Sequence, residues 1–203
     1  MPRTDRRQRL RMDPEERRSL ILTAARQAFA SQPYDKVSMT AIAAQAQASE
    51  ALVHKYYASK ASLYAEVLAA AATELSQRTQ AADAALPAGS SNRDRVRIWL
   101  MTYLDFVAER SAGWEAYQLL AGHGPSEASA VRHHMRQETV AALANVIGGQ
   151  QGAREQAAFW GYTGFVDTVC LRWVEDGCPE DQRHSLIDAA LGCLEGALGD
   201  WRG

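Results

Sequence analysis

The chain has 203 residues, 47% of them hydrophobic and 23% charged, which allows one domain, or a small one and a medium one, and excludes a disordered or fibrous protein. No apolar run approaches the roughly 20 residues that span a bilayer, and no apolar segment follows the basic N-terminus as it would in a secretory signal, so a cytosolic chain with no membrane partner is expected. The formal charge of −2 hides an asymmetry: residues 1–60 carry a net +5 and residues 61–203 a net −7, the pattern of a small nucleic-acid module joined to a different body.

Residues 1–12 form a basic arm with Arg3, Arg6, Arg7, Arg9 and Arg11 and almost nothing apolar; alone it has no reason to order. Asp13-Pro14 then starts a helix, with Glu16 three residues after the cap. Ile21, Ala24, Ala25, Ala28 and Phe29 give that helix an apolar stripe at spacings of three and four, and Pro33 ends it. Three more starts follow at Ser38, Ser49 and Ser59. The first two open helices of only two to three turns, too short to persist unpacked, and their close succession predicts a helix-turn-helix. The third continues to about Ala85. Leu86–Asn92 is a loop by composition. Helices are then predicted over 93–110, 113–121, 126–147 and 152–176, and from Pro179 to the end. There is no strand pattern and no internal repeat, so the fold class is all-α.

The last two helices carry a sharper pattern. Phe159, Tyr162, Val166, Val169 and Trp173 recur at three, four, three and four; Ile187, Leu191, Leu194, Leu198 and Trp201 recur at four, three, four and three. Each is a seam about two heptads long. Two such helices form half of a four-helix bundle, and a second copy of the chain is expected to supply the other half, with Phe159, Tyr162, Val166, Trp173, Ile187, Leu191, Leu194 and Leu198 at the interface. Packing within the chain is the alternative.

Catalytic and metal chemistry find little support. His123, His133 and His134 lack a spaced carboxylate or cysteine partner. The three cysteines, Cys170, Cys178 and Cys193, have no metal-ligand spacing and read as reduced thiols. No nucleophile elbow, phosphate loop or paired carboxylate is visible. The chain is therefore expected not to be an enzyme, and neither cofactor nor metal is expected.

The stretch 17–68 resembles the DNA-binding domain of the TetR/AcrR family of bacterial transcriptional regulators. Ile21-Leu22 and Ala24-Ala25 match its first helix, Tyr34 and Val37-Ser38-Met39 the turn into the second, and Ile42-Ala43 and Ala46 the second. Ser49 opens the third. Tyr56-Tyr57-Ala58-Ser59-Lys60, followed by Leu63, matches the family's Tyr-Phe-x-Ser-Lys block. Three positions depart: Gln47 stands where the turn usually has Gly, Val53-His54 where Leu-Tyr is usual, and Pro33 where Gly is usual. Gln47 must then adopt a left-handed conformation or the turn must differ.

The resemblance implies an arm (1–12), a helix-turn-helix DNA-binding domain (13–60) and a helical ligand-binding and dimerisation domain (61–203). It further implies a homodimeric regulator, most often a repressor, that binds a palindromic operator in double-stranded DNA and is released by a small effector, apolar or amphipathic. When bound to DNA it would be nucleoid-associated. The alternative is a dimeric helical protein whose body has an enzymatic or adaptor role without operator binding.

In such a motif the helix from Ser49 enters the major groove. Glu50, Ala51, His54 and Lys55 then meet bases: Glu50 accepts from cytosine, Ala51 touches a thymine methyl, and Lys55 donates to guanine or phosphate. His54 reads equally as a partly packed residue. Ser38, Thr40, Tyr56 and Lys60 match phosphate contacts, with Ser38 and Lys60 at helix N-termini that favour anions. In the body, Tyr103, Phe106, Trp114, Tyr117 and Phe165 are candidates to line an effector pocket, although each also reads as core. Asp167 interrupts an apolar run. Facing outward it is an ordinary surface acid; facing inward it needs a partner, a ligand cation, Arg or His, and is then a further candidate for the effector pocket.

Overall fold

The computed structural model describes residues 12–120, 123–148 and 152–199, and the elements among them are all helical. The expected arm, apart from Met12, and Trp201 lie outside the described residues. Local chemistry accounts for the first helices. Asp13 accepts from the Glu15 amide at 2.8 Å and Pro14 takes the first position of α1 (Pro14–Ser31), with Glu15 and Glu16 in its first turn. A single 3-10 turn, Tyr34–Lys36, leads to α2 (Met39–Gln45), where Ser38 caps by accepting from the Ala41 amide. Ser49 does the same for Leu52 at the start of α3 (Glu50–Tyr56). Ser59 and Ser62 form a reciprocal capping box at the start of α4 (Lys60–Ala84).

The turn between α2 and α3 is made by a residue ill suited to it. Gln47 has φ +51°. The Ala48 amide donates to Ala43 and the Gln47 amide to Ala44, at 2.9 and 3.1 Å, the paired closure that usually places Gly at the left-handed position. The guanidinium of Arg17 in α1 donates to the Ala46 and Gln47 carbonyls, both at 3.4 Å, so α1 braces the turn.

These helices share one core. Ile21, Ala25 and Phe29 of α1 meet Ile42 and Ala43 of α2, Val53 of α3, and Leu63, Tyr64 and Val67 of α4. The head's core thus runs on into the first two turns of α4. The rest of α4 belongs to the body and packs on α5 (Asn92–Ala108) and α7 (Ser126–Ile147). Between them lies α6 (Ser111–Leu119). The chain continues into α8 (Ala153–Glu175) and, after a turn with Gly177 at φ +86° and Cys178 at +56°, a 3-10 turn (Glu180–Gln182) and α9 (Arg183–Leu198). The last α-helix therefore begins four residues after Pro179.

The seam residues of α8 and α9 face inward. Phe159, Tyr162, Val166, Trp173, Ile187, Leu191 and Leu194 are all buried in the chain's own core, and Leu198 packs against it. They cannot also meet a second copy, which corrects the expected interface. Their periodicity reflects an apolar stripe, and α5 together with the two helices' own mutual packing covers it. The faces left in solvent are different: Ala157, Trp160, Gly161 and Thr168 on α8, and Ala189, Gly192 and Gly196 on α9.

Two features join head to body. At Gly113 in α6, a Cβ would lie 2.7 Å from the Phe29 carbonyl oxygen and 2.8 Å from the Ala30 Cα at the end of α1, so only glycine permits this approach. Beside it, Glu74 of α4 accepts from Arg26 of α1, from Arg78 one turn on (2.7 Å), and from Arg110 at the start of α6 (2.5 Å). Burial pushes the Glu74 carboxyl up, but Arg110 first, then Arg26 and Arg78, outweigh it and hold it below 4.5.

Two outcomes are expected from these contacts. Gln47→Gly removes a left-handed strain of about 1–2 kcal/mol and adds unfolded-chain entropy of about 0.5–1, so chemical denaturation should show a gain of roughly 0.5–1 kcal/mol. For Glu74 the folded pKa is depressed, so its contribution is complete above 4.5 and is lost as the pH falls through the lowered value. Urea midpoints measured across that range should fall more steeply with acid in the wild type than in Glu74→Gln.

Candidate DNA interface and ligand cavity

The head offers one continuous polar surface. Val53 is fully buried and Tyr57 nearly so; that packing turns Glu50, Ala51, His54 and Lys55 of α3 to solvent, with Ser38 and Thr40 of α2 and Ser49 of the turn beside them. Tyr56 is half-buried at the edge. The Thr40 hydroxyl donates to Glu50 at 2.7 Å, and Glu50 lies 3.8 Å from His54 one turn on. Glu50 is therefore held across the turn between the two helices. Ser38 and Ser49 accept backbone protons as caps, which leaves their own hydroxyl protons free to donate. Lys55 makes no hydrogen bond or ion pair with the described residues.

Lys60 behaves differently from expectation. Its ammonium donates to the carbonyls of Tyr34 (2.9 Å) and Val37 (3.1 Å) and sits 4.3 Å from the Tyr34 ring centroid. Two of its three protons hold the loop between α1 and α2. Its first task is in the fold, and its third proton remains for the phosphate contact expected of it.

A cavity of about 430 Å³ runs through the body beneath the head. Leu68, Ala71 and Leu75 of α4, Val96, Trp99, Leu100 and Phe106 of α5, Leu143 of α7 and Val166 of α8 make its apolar walls. Phe29 and Ala30 at the end of α1 also reach it, so the head itself contributes lining. Its polar groups gather around α6 and α7. The Trp114 indole donates to the Tyr103 hydroxyl at 3.2 Å, which donates to Asp167 at 3.1 Å, and the other Asp167 oxygen accepts from Arg136 at 2.8 Å. This chain ties α6, α5, α8 and α7 together. Burial pushes the Tyr103 hydroxyl well above its ordinary value, with the Asp167 charge adding to it, so it stays a donor. Arg132 donates to Gln118 at 2.9 Å and to the Tyr117 carbonyl, with its guanidinium 3.7 Å from the Tyr117 ring centroid. Arg136 Nε and the Tyr162 hydroxyl are buried without a partner among the described residues.

The model of bacterial regulatory proteins of the tetR family matches residues 21–67, the segment that folds as the head. The head is thus similar to the DNA-binding segment of tetR-family regulators. A curated relative, the HTH-type transcriptional activator FasR of Mycolicibacterium smegmatis, is 30% identical over 104 residues, 51% of this chain and 46% of that one. The chain thus spans about half the length of the curated relative it matches. A tetR-family transcriptional regulator from Streptomyces coelicolor superposes with a TM-score of 0.74 at 23% identity, covering 92% of this chain and 80% of that one. A TetR-like transcriptional regulator from Rhodococcus sp. RHA1 gives 0.68 at 22% identity, over 94% and 100%. The tetR-type fold therefore extends through the helical body as well as the head.

Within the body, Tyr103, Phe106, Trp114, Tyr117 and Asp167 line the cavity, and Phe165 does not. Phe165 packs half-buried against the core from another side of α8, one residue off the stripe that Val166 occupies. Asp167 faces inward, with both oxygens engaged, which corrects its reading as a surface acid. Sequence reasoning missed Arg132 and Arg136. Their spacing of four, continued by Thr139 and Leu143, puts them on one face of α7, and that stripe was the available signal. Among the described residues no cluster of three metal-ligating side chains occurs and no helix is long and apolar enough to cross a membrane.

The two lysines of the head should separate in a DNA titration. Lys55→Ala should lower the dependence of log K on log salt by about 0.9 while leaving stability unchanged. Lys60→Ala should lower the thermal stability of the protein, by about 1–2 kcal/mol for two charged hydrogen bonds and a ring contact, with a smaller change in salt dependence. Equal effects of both substitutions on salt dependence, with no loss of stability, would return Lys60 to the phosphate contacts.

Proposed function

We propose that the protein is a homodimeric transcriptional regulator. The outward face of α2 and α3 reads a palindromic operator, and an effector in the body cavity changes that affinity. The observation that carries this reading is the joint arrangement of head and cavity. Phe29 and Ala30 at the end of α1 line the same space as the body's aromatics, so whatever fills the cavity touches the element that positions the reading helices.

The roles follow from exposure. Glu50, Ala51, His54 and Lys55 meet base edges in the major groove; Ser38, Thr40, Ser49 and Tyr56 position the head on phosphates. Glu50 reads a base only when its bond to Thr40 is exchanged for one to cytosine, which makes the pair a specificity element. An effector acts by its differential affinity for the conformation whose heads are wrongly spaced. The resemblance implies repression as the outcome, whereas the relative FasR is by name an activator; a promoter fusion in cells with and without the gene decides the sign.

The dimer is proposed on the solvent faces of α8 and α9. Gly161, Gly164, Gly192 and Gly196 have open space where a Cβ would stand, and Trp160 beside them is 39% exposed. Such faces let another helix pair approach closely and bury an aromatic.

Selection from a random DNA library, followed by sedimentation of the complex, tests the reading. A palindromic consensus bound by two subunits is expected. Gly192→Arg and Gly161→Arg should leave the helical content intact, give monomers, and lose operator binding. A non-palindromic or absent consensus would favour the adaptor reading. Retention of the dimer in both variants would move the interface elsewhere.

A further inference from the structure

The charge inside the cavity does not balance at one end. Three charged groups meet around Tyr117 at the α6–α7 side: Arg132, Arg136 and Asp167. Asp167 is fully used, one oxygen by Tyr103 and the other by Arg136. That pair cancels. Arg132 has no carboxylate partner among the described residues; it donates only to the neutral Gln118 side chain and the Tyr117 carbonyl. Glu138, the other acid on this wall, points out to His134. Arg136 keeps an N–H that is buried and unpaired. One net positive charge, that of Arg132, therefore stands at this end of a space whose walls between α4, α5 and α8 are largely apolar. A guanidinium fork is the side chain best matched to an oxyanion.

We infer that the effector is an apolar molecule ending in an oxyanion, with its body between α4, α5 and α8 and its charged end between Arg132 and Arg136. This rests on the cavity being the effector site proposed above. A cationic ligand fits poorly, because Asp167, the one inward carboxylate at this end, has both oxygens occupied. A neutral apolar ligand would fill the walls and leave the Arg132 charge without a counter-charge. The same geometry gives Arg132 a second task. It closes the last turn of α6 by holding the Tyr117 carbonyl and Gln118, and an incoming oxyanion competes for those protons. The ligand's charged end would therefore be read directly by α6, whose other end is pressed on α1 at Gly113.

The test compares ligands of one chain length on the full chain: decanoate, decyl phosphate, 1-decanol and decylamine. Binding is followed by intrinsic fluorescence, since Trp99 and Trp114 both line the cavity. At least one of the two anions should bind roughly tenfold or more tightly than the alcohol, the worth of one added charged hydrogen bond. The preferred anion distinguishes a carboxylate from a phosphate source. Arg132→Gln should bring the anion and alcohol affinities together; the readout is their ratio, since Arg132 also holds the end of α6. Alcohol or amine binding as tightly as both anions, or no binding by any of the four, overturns the inference, and this comparison needs no variant. An unchanged preference in Arg132→Gln overturns the assignment of the charged end. If an anion binds as expected but the selected DNA is not released, the ligand class stands and the regulatory coupling proposed above fails.

Discussion

One carboxylate joins the two halves of this molecule. Glu74 lies in the middle of α4, whose first two turns belong to the head's core and whose remainder packs on α5 and α7, and it gathers guanidiniums from α1, from α4 itself and from the start of α6. Arg78 and Arg110 also share Glu109, so the acid is part of a network and not an isolated pair. A single exposed pair would contribute little, because solvent screens it and side-chain entropy opposes it. A partly buried network whose members lie on three helices constrains their mutual orientation, because each guanidinium has only a few geometries that satisfy its partners. The head's angle on the body is thus specified by charge geometry at Glu74 and by steric contact at Gly113, together with Ala128 of α7 and Leu120, which pack into the head's core.

That division explains why the cavity can lie where it does. An interior normally closes to crystal-like density. Here α6, α5, α8 and α7 are held apart at one level by a chain of hydrogen bonds, from Trp114 through Tyr103 and Asp167 to Arg136, and each bond in it spans two helices. Collapse of the walls would break these bonds or bury their charges unpaired, at a cost greater than the dispersion energy that closer packing would return. The polar chain therefore props the space open as well as lining it.

How much of this was legible in the residues depended on the range of the interaction. The starts of α1 to α4 were readable because Asp13, Ser38, Ser49 and Ser59 act on amides two or three positions away. The left-handed Gln47 was readable for the same reason, as one of the two conformations that a turn without its glycine allows. The seam of α8 and α9 was visible as a period, but a period names no partner: Phe159 and Leu191 look the same whether another chain or the chain's own helices cover them. Their burial in the monomer moved the candidate interface to residues with almost no hydrophobic signal, Gly161 and Gly192. The partners of Asp167 and Lys60 were illegible for a related reason. Each is held by groups distant in sequence: Asp167 by Tyr103 and Arg136, Lys60 by the backbone of a loop more than twenty residues earlier.

Several departures from local consistency lie along one line. The strained turn at Gln47 adjoins the reading helix. Gly113 gives up helix propensity so that α6 can touch α1. Arg132 keeps an uncompensated charge beside an apolar space, and Arg136 keeps a proton without an acceptor. Sequences optimised only for stability remove such features, because each lowers the gap between the native arrangement and its competitors. Of these residues Gly113, Arg132 and Arg136 line the cavity, and Arg132 is the one whose charge a bound molecule would balance. Under the effector role proposed above, a ligand that balanced Arg132 would stabilise one placement of α6 over another by the difference in those bonds alone, and that difference is the free energy available to move the heads.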